Sequence, residues 1–247
     1  MKRFLELTKV EFKLLTRNIP SMFFALIFPS LTLLMFGGMY GNKPSPYLNG
    51  HGAVDLGVPA YTGIVIAVAG LMNLPLTISN YREKKVLKRF MATPMSARDV
   101  LVSRIVVNFF MTIVGMAILI IVGKAFFDLH FMGALLPISI AFVLSTLSIF
   151  SLGLLIASLS PNSSATTAIA YLIYFPSLFL TGATTPIEIM PKAMVNISKA
   201  IPLTYAVDLL KAAWLGKDLL NYKLDIIVLI AVLVVSTTVS VLMFRWE

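Results

Sequence analysis

Arg82, Glu83, Lys84, Lys85, Lys88 and Arg89 place six ionisable side chains within eight residues. Arg98, Asp99 and Arg104 extend the cluster. In water such a cluster does ionic work. It can dock a soluble protein surface, or fix the orientation of a membrane protein through its excess of Lys and Arg. Catalytic chemistry is much harder to assemble from this sequence. No GxxxxGK[ST] loop is present to cradle a nucleotide phosphate. The absence of cysteine removes disulfides, thiolate metal sites and a cysteine nucleophile. The two histidines, His51 and His130, fall in predicted loops, so neither a membrane-embedded Ser–His pair nor a histidine metal site is supported.

The elements that position this cluster are apolar. Hydrophobic residues make up 58% of the 247 and charged residues 13%, with a mean hydropathy of +0.91. A soluble domain has about 25% charged residues. Asp, Glu, Lys and Arg are missing from 18–42, 56–81, 105–123, 131–187 and 226–244. A spanning helix needs about 20 predominantly apolar residues. Four of these runs hold one helix each. The run 131–187 holds two, with Ser160-Pro161-Asn162-Ser163-Ser164 as the turn between them. The expectation is an all-α membrane protein, a single domain over 1–247 with spans near 22–40, 56–80, 101–122, 133–158, 165–182 and 225–244. No cleavable signal pattern is expected, because the first apolar run is long enough to span.

In chain order, residues 2–17 read as an amphipathic helix on the membrane surface. Lys2, Glu6, Lys9, Lys13 and Arg17 form its polar stripe. Phe4, Leu7, Val10, Leu14 and Leu15 lie opposite, with Glu11 intruding among them. Pro29 should kink the first span, and Asn73 and Pro75 fall inside the second. Glu83–Met91 reads as a short basic helix, set apart by Pro94 from the third span, which Ser96 and Asp99 cap. The fourth span carries Ala141 and Ser145, then Gly153 and Ala157, at the spacing that lets helices approach closely. The fifth span is expected to be interrupted at Pro176 and Gly182. Residues 183–224 read as short helices lying at the membrane interface, one starting at Thr185-Pro186-Ile187-Glu188 and another, Thr204–Leu215, ended by Gly216. The N-terminus, the 81–104 stretch and the C-terminus hold 13 Lys and Arg residues and the opposite side 7. Both termini are thus expected to be cytoplasmic. The positive charge lies beside spans, which favours lipid head groups over nucleic acid. No expected span has a central charge of the kind that ion-coupled transporters use, so energy for transport would have to come from outside the membrane.

The ordered set of six spans, the run Arg82 to Arg89 and Thr93-Pro94-Met95-Ser96 resembles the permease subunits of type-2 ABC exporters. So does Leu180–Pro191 followed by Ile201-Pro202-Leu203-Thr204-Tyr205. The similarity covers essentially the whole chain and is nearest to the small bacterial drug-resistance branch. It implies a plasma-membrane half-transporter, in which two permeases, identical or sister chains, form a pathway over two separate ATPase subunits. The chain itself would be no enzyme and carry no cofactor, with ATP and magnesium held by the partner. The resemblance also implies roles for particular residues. Arg82, Glu83, Lys84, Lys85, Leu87, Lys88, Arg89 and Pro94 would belong to the ATPase-coupling region. Phe4, Lys9, Lys13 and Arg17 would belong to a surface elbow helix, and Pro176, Gly182, Pro186 and Glu188 would shape the outer mouth. A charge-free interior favours apolar or amphipathic cargo (drug-like, lipopeptide or lipid). Lipid-linked glycans or other cell-envelope components, and sodium, are alternatives within the family. A non-transporting membrane anchor is the alternative outside it.

Overall fold

The computed structural model of the chain describes residues 2–48, 50–86, 97–184, 187 and 190–243. Within them six helices are long and apolar enough to cross a membrane: Ile19–Tyr40, Ala53–Glu83, Asp99–Phe127, Leu135–Leu159, Ser163–Leu180 and Leu219–Met243. These are the first to sixth spans. Each overlaps a charge-free run, because a backbone in lipid must satisfy its polar groups internally and only side chains free of charge can face the hydrocarbon.

The N-terminal helix Lys2–Arg17 precedes the bundle. Its buried face is narrower than the sequence suggests. Leu7, Glu11 and Leu15 are buried, while Val10 and Leu14 are exposed. The three buried residues recur every fourth position, so they line one side of the helix. Leu15 packs with Val107 and Met111 of the third span. Asn18 then separates this helix from the first span. Its side-chain oxygen accepts from Ser21 N at 3.3 Å, with Pro20 in the first turn.

Pro29 of the first span and Pro75 of the second are accommodated alike. Pro29 cannot donate to the carbonyl four residues back, and its ring would press on that carbonyl. The turn before it widens to a π-helix over Phe23–Ile27, so that Phe28 N–H bonds Phe23 O. Before Pro75 the same widening covers Val68–Asn73, and Leu74 N–H bonds Ala69 O. The fifth span departs from expectation. Its helix passes through Pro176 and stops only at Leu180. Pro176 sits little more than one turn from that end, and the hydroxyls of Ser177 and Thr181 bond carbonyls of the same turns. Gly182 follows with φ +73°, a conformation that side chains disfavour.

The second span is the axis of the fold. Every residue from Gly57 to Leu71 is buried, as expected for a helix that is apolar all round. It crosses the fourth span backbone to backbone: a Cβ on Gly153 would lie 1.9 Å from Gly70 O. Ala141, Ser145 and Ala157 are also fully buried, so both small-residue pairs of the fourth span serve close approach. The sixth span is stitched to the fourth by hydroxyls. Ser148 Oγ donates to Leu229 O at 2.8 Å, and Ser158 and Ser240 share a 2.8 Å bond. Bonds of this kind between spanning helices contribute about 0.6 kcal/mol each.

Between the fifth and sixth spans the structure corrects an expectation. The helix Pro202–Trp214 does not lie on a surface. Leu203, Ala206, Val207, Leu210 and Ala213 are at most 1% exposed, packed on the second and fourth spans. Gly63 makes room for Val207, and Gly133 for the carbonyl of Ala213. This inner helix runs antiparallel to the fourth span. Ala213 lies beside Gly133 and Ala206 beside Ser145, so its N-terminal tip reaches well down the bundle. Small residues at 206, 212 and 213 allow that depth. Lys211 turns its ammonium to Gly182 O at 3.0 Å, which places the charge on the chain entering this re-entrant segment.

Candidate coupling site at the basic end

One end of the bundle gathers the N-terminal helix, the end of the second span and the start of the third. Successive residues on a helix point about 100° apart, so Tyr81, Arg82 and Glu83, the last turn of the second span, face three directions. Each meets a different element. Tyr81 donates its hydroxyl to the Glu11 carboxylate, 3.0 Å from Oε2 and 3.2 Å from Oε1. Arg82 donates to the carbonyls of Ala157, at 3.2 Å, and Ser160, satisfying the otherwise unpaired end of the fourth span. Glu83 accepts from the backbone N–H of Ser163, at 3.2 Å, and from its hydroxyl, an anion at the start of the fifth span. One turn earlier, Thr166 Oγ1 bonds Ser79 Oγ at 2.8 Å.

The contact to the N-terminal helix is ionic and dry. Arg104 Nε of the third span lies 2.5 Å from Glu11 Oε2, and the two side chains are 6% and 2% exposed. Arg104 also donates to the Tyr81 hydroxyl, and its guanidinium carbon sits 5.1 Å from the centre of the Tyr81 ring. Burial pushes the Glu11 carboxyl above its ordinary range, against the opposing pull of Arg104 and the Tyr81 hydrogen bond. The three groups thus join the N-terminal helix, second span and third span through one buried acid.

The residues expected to form the coupling region divide between two places. Of the short basic helix expected over Glu83–Met91, residues 87–91 lie outside the described residues, and Glu83 does not start it; Arg82 and Glu83 close the preceding helix. They end the second span, because the helix stops at Glu83 and Lys85 adopts φ +56°. Arg82 is buried against the fourth span, whereas Lys84 and Lys85 are exposed. Leu87, Lys88, Arg89 and Pro94 lie outside the described residues. On the N-terminal helix Lys9, Lys13 and Arg17 are exposed and Phe4 is half-buried. Lys9 pairs with Glu6 at 2.9 Å in the open. Pro176 is exposed on the flank between the fourth and fifth spans, close to the tip of the inner helix. A side chain at Gly182 would meet Ile187 at 2.7 Å, and Pro186 and Glu188 fall outside the described residues. Sequence reasoning missed Glu11, Tyr81, Arg104 and Ser163 as a group. The one available signal was an acid set among the apolar residues of an amphipathic helix.

The opposite end, called here the loop end, has its own buried acid. Asp55 is 3% exposed and accepts from Asn42 Nδ2 at 2.8 Å and from His130 N–H at 2.9 Å. The Asn42 side-chain oxygen accepts in turn from the N–H groups of Val54 and Asp55 at 3.1 and 3.0 Å, capping the second span.

Six spans, an inner helix buried among them and an ionic joint at the basic end describe a multi-pass membrane protein. Residues 2–215 match the ABC-2 type transporter family, and the chain belongs to it. Among its relatives is Nodulation protein J of Rhizobium leguminosarum bv. viciae, 33% identical over 99 residues, 40% of this chain and 38% of that protein. The probable multidrug ABC transporter permease YbhR of Escherichia coli is 22% identical over 158 residues, 64% of this chain and 43% of the relative. The chain thus spans less than half the length of these two relatives. The putative transport permease ycf38 of Cyanophora paradoxa aligns more fully, 25% identical over 262 residues, 97% of this chain and 86% of the relative.

Proposed function

We propose that the chain is the permease subunit of an ATP-driven exporter in the plasma membrane, with both termini cytoplasmic and hydrolysis carried out by a separate ATPase. The observation that carries this reading is the joint at the end of the second span. Tyr81, Arg82 and Glu83 tie that span to the N-terminal helix and to the third, fourth and fifth spans. The chain then leaves this joint through the exposed Lys84 and Lys85. A force applied to residues 84–96 by a soluble subunit would reach four elements through three adjacent side chains. In this reading Lys84, Lys85, Leu87, Lys88, Arg89 and Pro94 meet the ATPase, while Arg82 and Glu83 transmit the push. Lys9, Lys13 and Arg17 form the exposed face of an elbow helix beside it. Pro176, Gly182, Pro186 and Glu188 belong to the outer mouth. Two copies, or this chain and a sister permease, would enclose the pathway above two ATPases that hold ATP and magnesium.

Apolar or amphipathic cargo fits spans without central charges. The designation of YbhR as a probable multidrug ABC transporter permease points the same way, toward multidrug efflux, from which antibiotic resistance would follow. The test is co-purification with a candidate ATPase from the same operon, followed by hydrolysis assays against lipophilic cations, lipopeptides and lipids. The expected result is a stable complex whose hydrolysis responds to one cargo class. The triple reversal Lys84→Glu, Lys88→Glu, Arg89→Glu should abolish the complex while the permease still folds. A wild-type chain that binds no ATPase would sink the reading and leave a membrane anchor.

A further inference from the structure

Between the fourth and fifth spans a cavity of about 440 Å³ opens on the flank of the bundle, closed at one end by the tip of the re-entrant segment at Ala200, Ile201 and Pro202. Its walls are aliphatic, formed by Leu155, Leu159, Ile169, Leu172 and Ile173 among others. The one hydroxyl among the lining side chains, on Ser177, already bonds Ile173 O at 2.6 Å. Leu172 is 73% exposed, so the groove is open sideways, where spanning helices meet hydrocarbon. Among the described residues no lining side chain offers a free polar group, and burying a polar or charged ligand there would cost several kcal/mol.

The dimensions of the groove narrow the choice of occupant. It begins at Leu159, the last residue of the fourth span, at the basic end. It stops at the inner helix tip, part-way along the bundle. Along the fifth span it extends from Ile169 to Ser177, a rise of about 12 Å at 1.5 Å per residue. One leaflet of a bilayer contributes about 15 Å of hydrocarbon, half of the whole core. The geometry points to a seat for one acyl chain of a phospholipid from the leaflet at the basic end. The tail lies between the fourth and fifth spans and its end abuts Pro202. Occupancy fills a gap that the protein leaves between two spans and the re-entrant tip, so the lipid acts as a structural wedge. It requires neither an ATPase nor cargo.

The test uses the full chain in vesicles of phosphatidylethanolamine and phosphatidylglycerol, doped with a phosphatidylethanolamine whose acyl chain ends in a diazirine. After photolysis, cross-links are mapped by peptide mass spectrometry. Labelling should concentrate several-fold on the peptides carrying Leu152 and Leu155, Ile173 to Ser177, and Ala200 to Pro202, which surround the closed end of the groove. The reference is the sixth span near Val234 and Val235, apolar and exposed at mid-span. Ala200→Phe adds bulk at an exposed groove residue and should cut the groove labelling by half or more without changing the sixth span. Equal labelling of all exposed apolar flanks would mean ordinary boundary lipid and overturn the proposal, whether or not the Ala200 variant folds. Cross-links between two protein chains in the groove, in place of lipid labelling, would assign it to a second copy and overturn it equally.

Discussion

Among the described residues, the two ends of the bundle each bury one carboxylate, and they satisfy it by different means. At the loop end Asp55 accepts from the Asn42 amide and the His130 backbone N–H, with the His130 imidazole Nδ1 3.6 Å from its other oxygen. These come from two of the three connections on that side, so the acid clamps loops to the start of the second span. At the basic end Glu11 faces a cation, Arg104, with Tyr81 between them. Its partners come from whole helices. A carboxylate held by neutral amides keeps its bonds while the loops stay put, and it is a static clamp. A dry ion pair between helices is weak net evidence for stability, because desolvation offsets attraction, but breaking one partner is costly. The basic end is therefore the side at which a small displacement of one helix changes the energy of another, as expected where a push enters.

The largest effect should come from breaking that ion pair on one side only. Arg104→Leu leaves Glu11 buried without its cation and should destabilise the fold by about 3–5 kcal/mol, read as a fall in the thermal unfolding midpoint in detergent. The double variant Glu11→Leu with Arg104→Leu should recover most of that loss. If the double variant were as unstable as the single one, the joint would owe its strength to packing and the contrast between the two ends would disappear. At the loop end, Asn42→Ala removes the cap of the second span and one donor to Asp55, at about 1–3 kcal/mol. It should lower the unfolding midpoint and leave ATPase coupling intact. Lost coupling with an unchanged midpoint would reverse the roles assigned to the two ends.

The same contrast shows what could be read from the chain alone. The six spans were legible because charge-free runs of spanning length have few other uses. Pro29 and Pro75 marked disturbances within the first two spans, but the π-turns that relieve them depend on bonds that only the folded backbone makes. The inner helix Pro202–Trp214 was misplaced, because Asp208 and Lys211 break its apolar run and disguise a buried helix as an interfacial one. The joint was the least legible part. Tyr81 lies 70 residues from Glu11, and Arg82 lies 75 from Ala157. No local spacing encodes those pairs, and only Glu11 gave a local sign by interrupting an apolar face. The basic run drew attention to the right turn of the chain, but it did not distinguish Arg82, which faces inward, from the exposed Lys84 and Lys85.

The smallest effect is one of pH, and it probes the basic end alone. Burial raises the Glu11 carboxyl above its usual value of 4.5, even with Arg104 beside it. A group with a raised folded pKa binds its proton more tightly in the native than in the unfolded chain. Below the unfolded value both states are protonated, and the contribution of this group is fully present. As pH rises from 4.5 through the raised value, the unfolded chain ionises first and that contribution is lost. Above the window the remaining stability of the joint depends on Arg104. Glu11→Gln keeps the shape and removes the titration, so its stability should change less across this window than that of the wild type. The Asn42→Ala variant, altered only at the loop end, should keep the wild-type slope. A Glu11→Gln curve parallel to the wild type would show that Arg104 compensates the burial fully, leaving the two buried acids different in their partners but alike in their energetics.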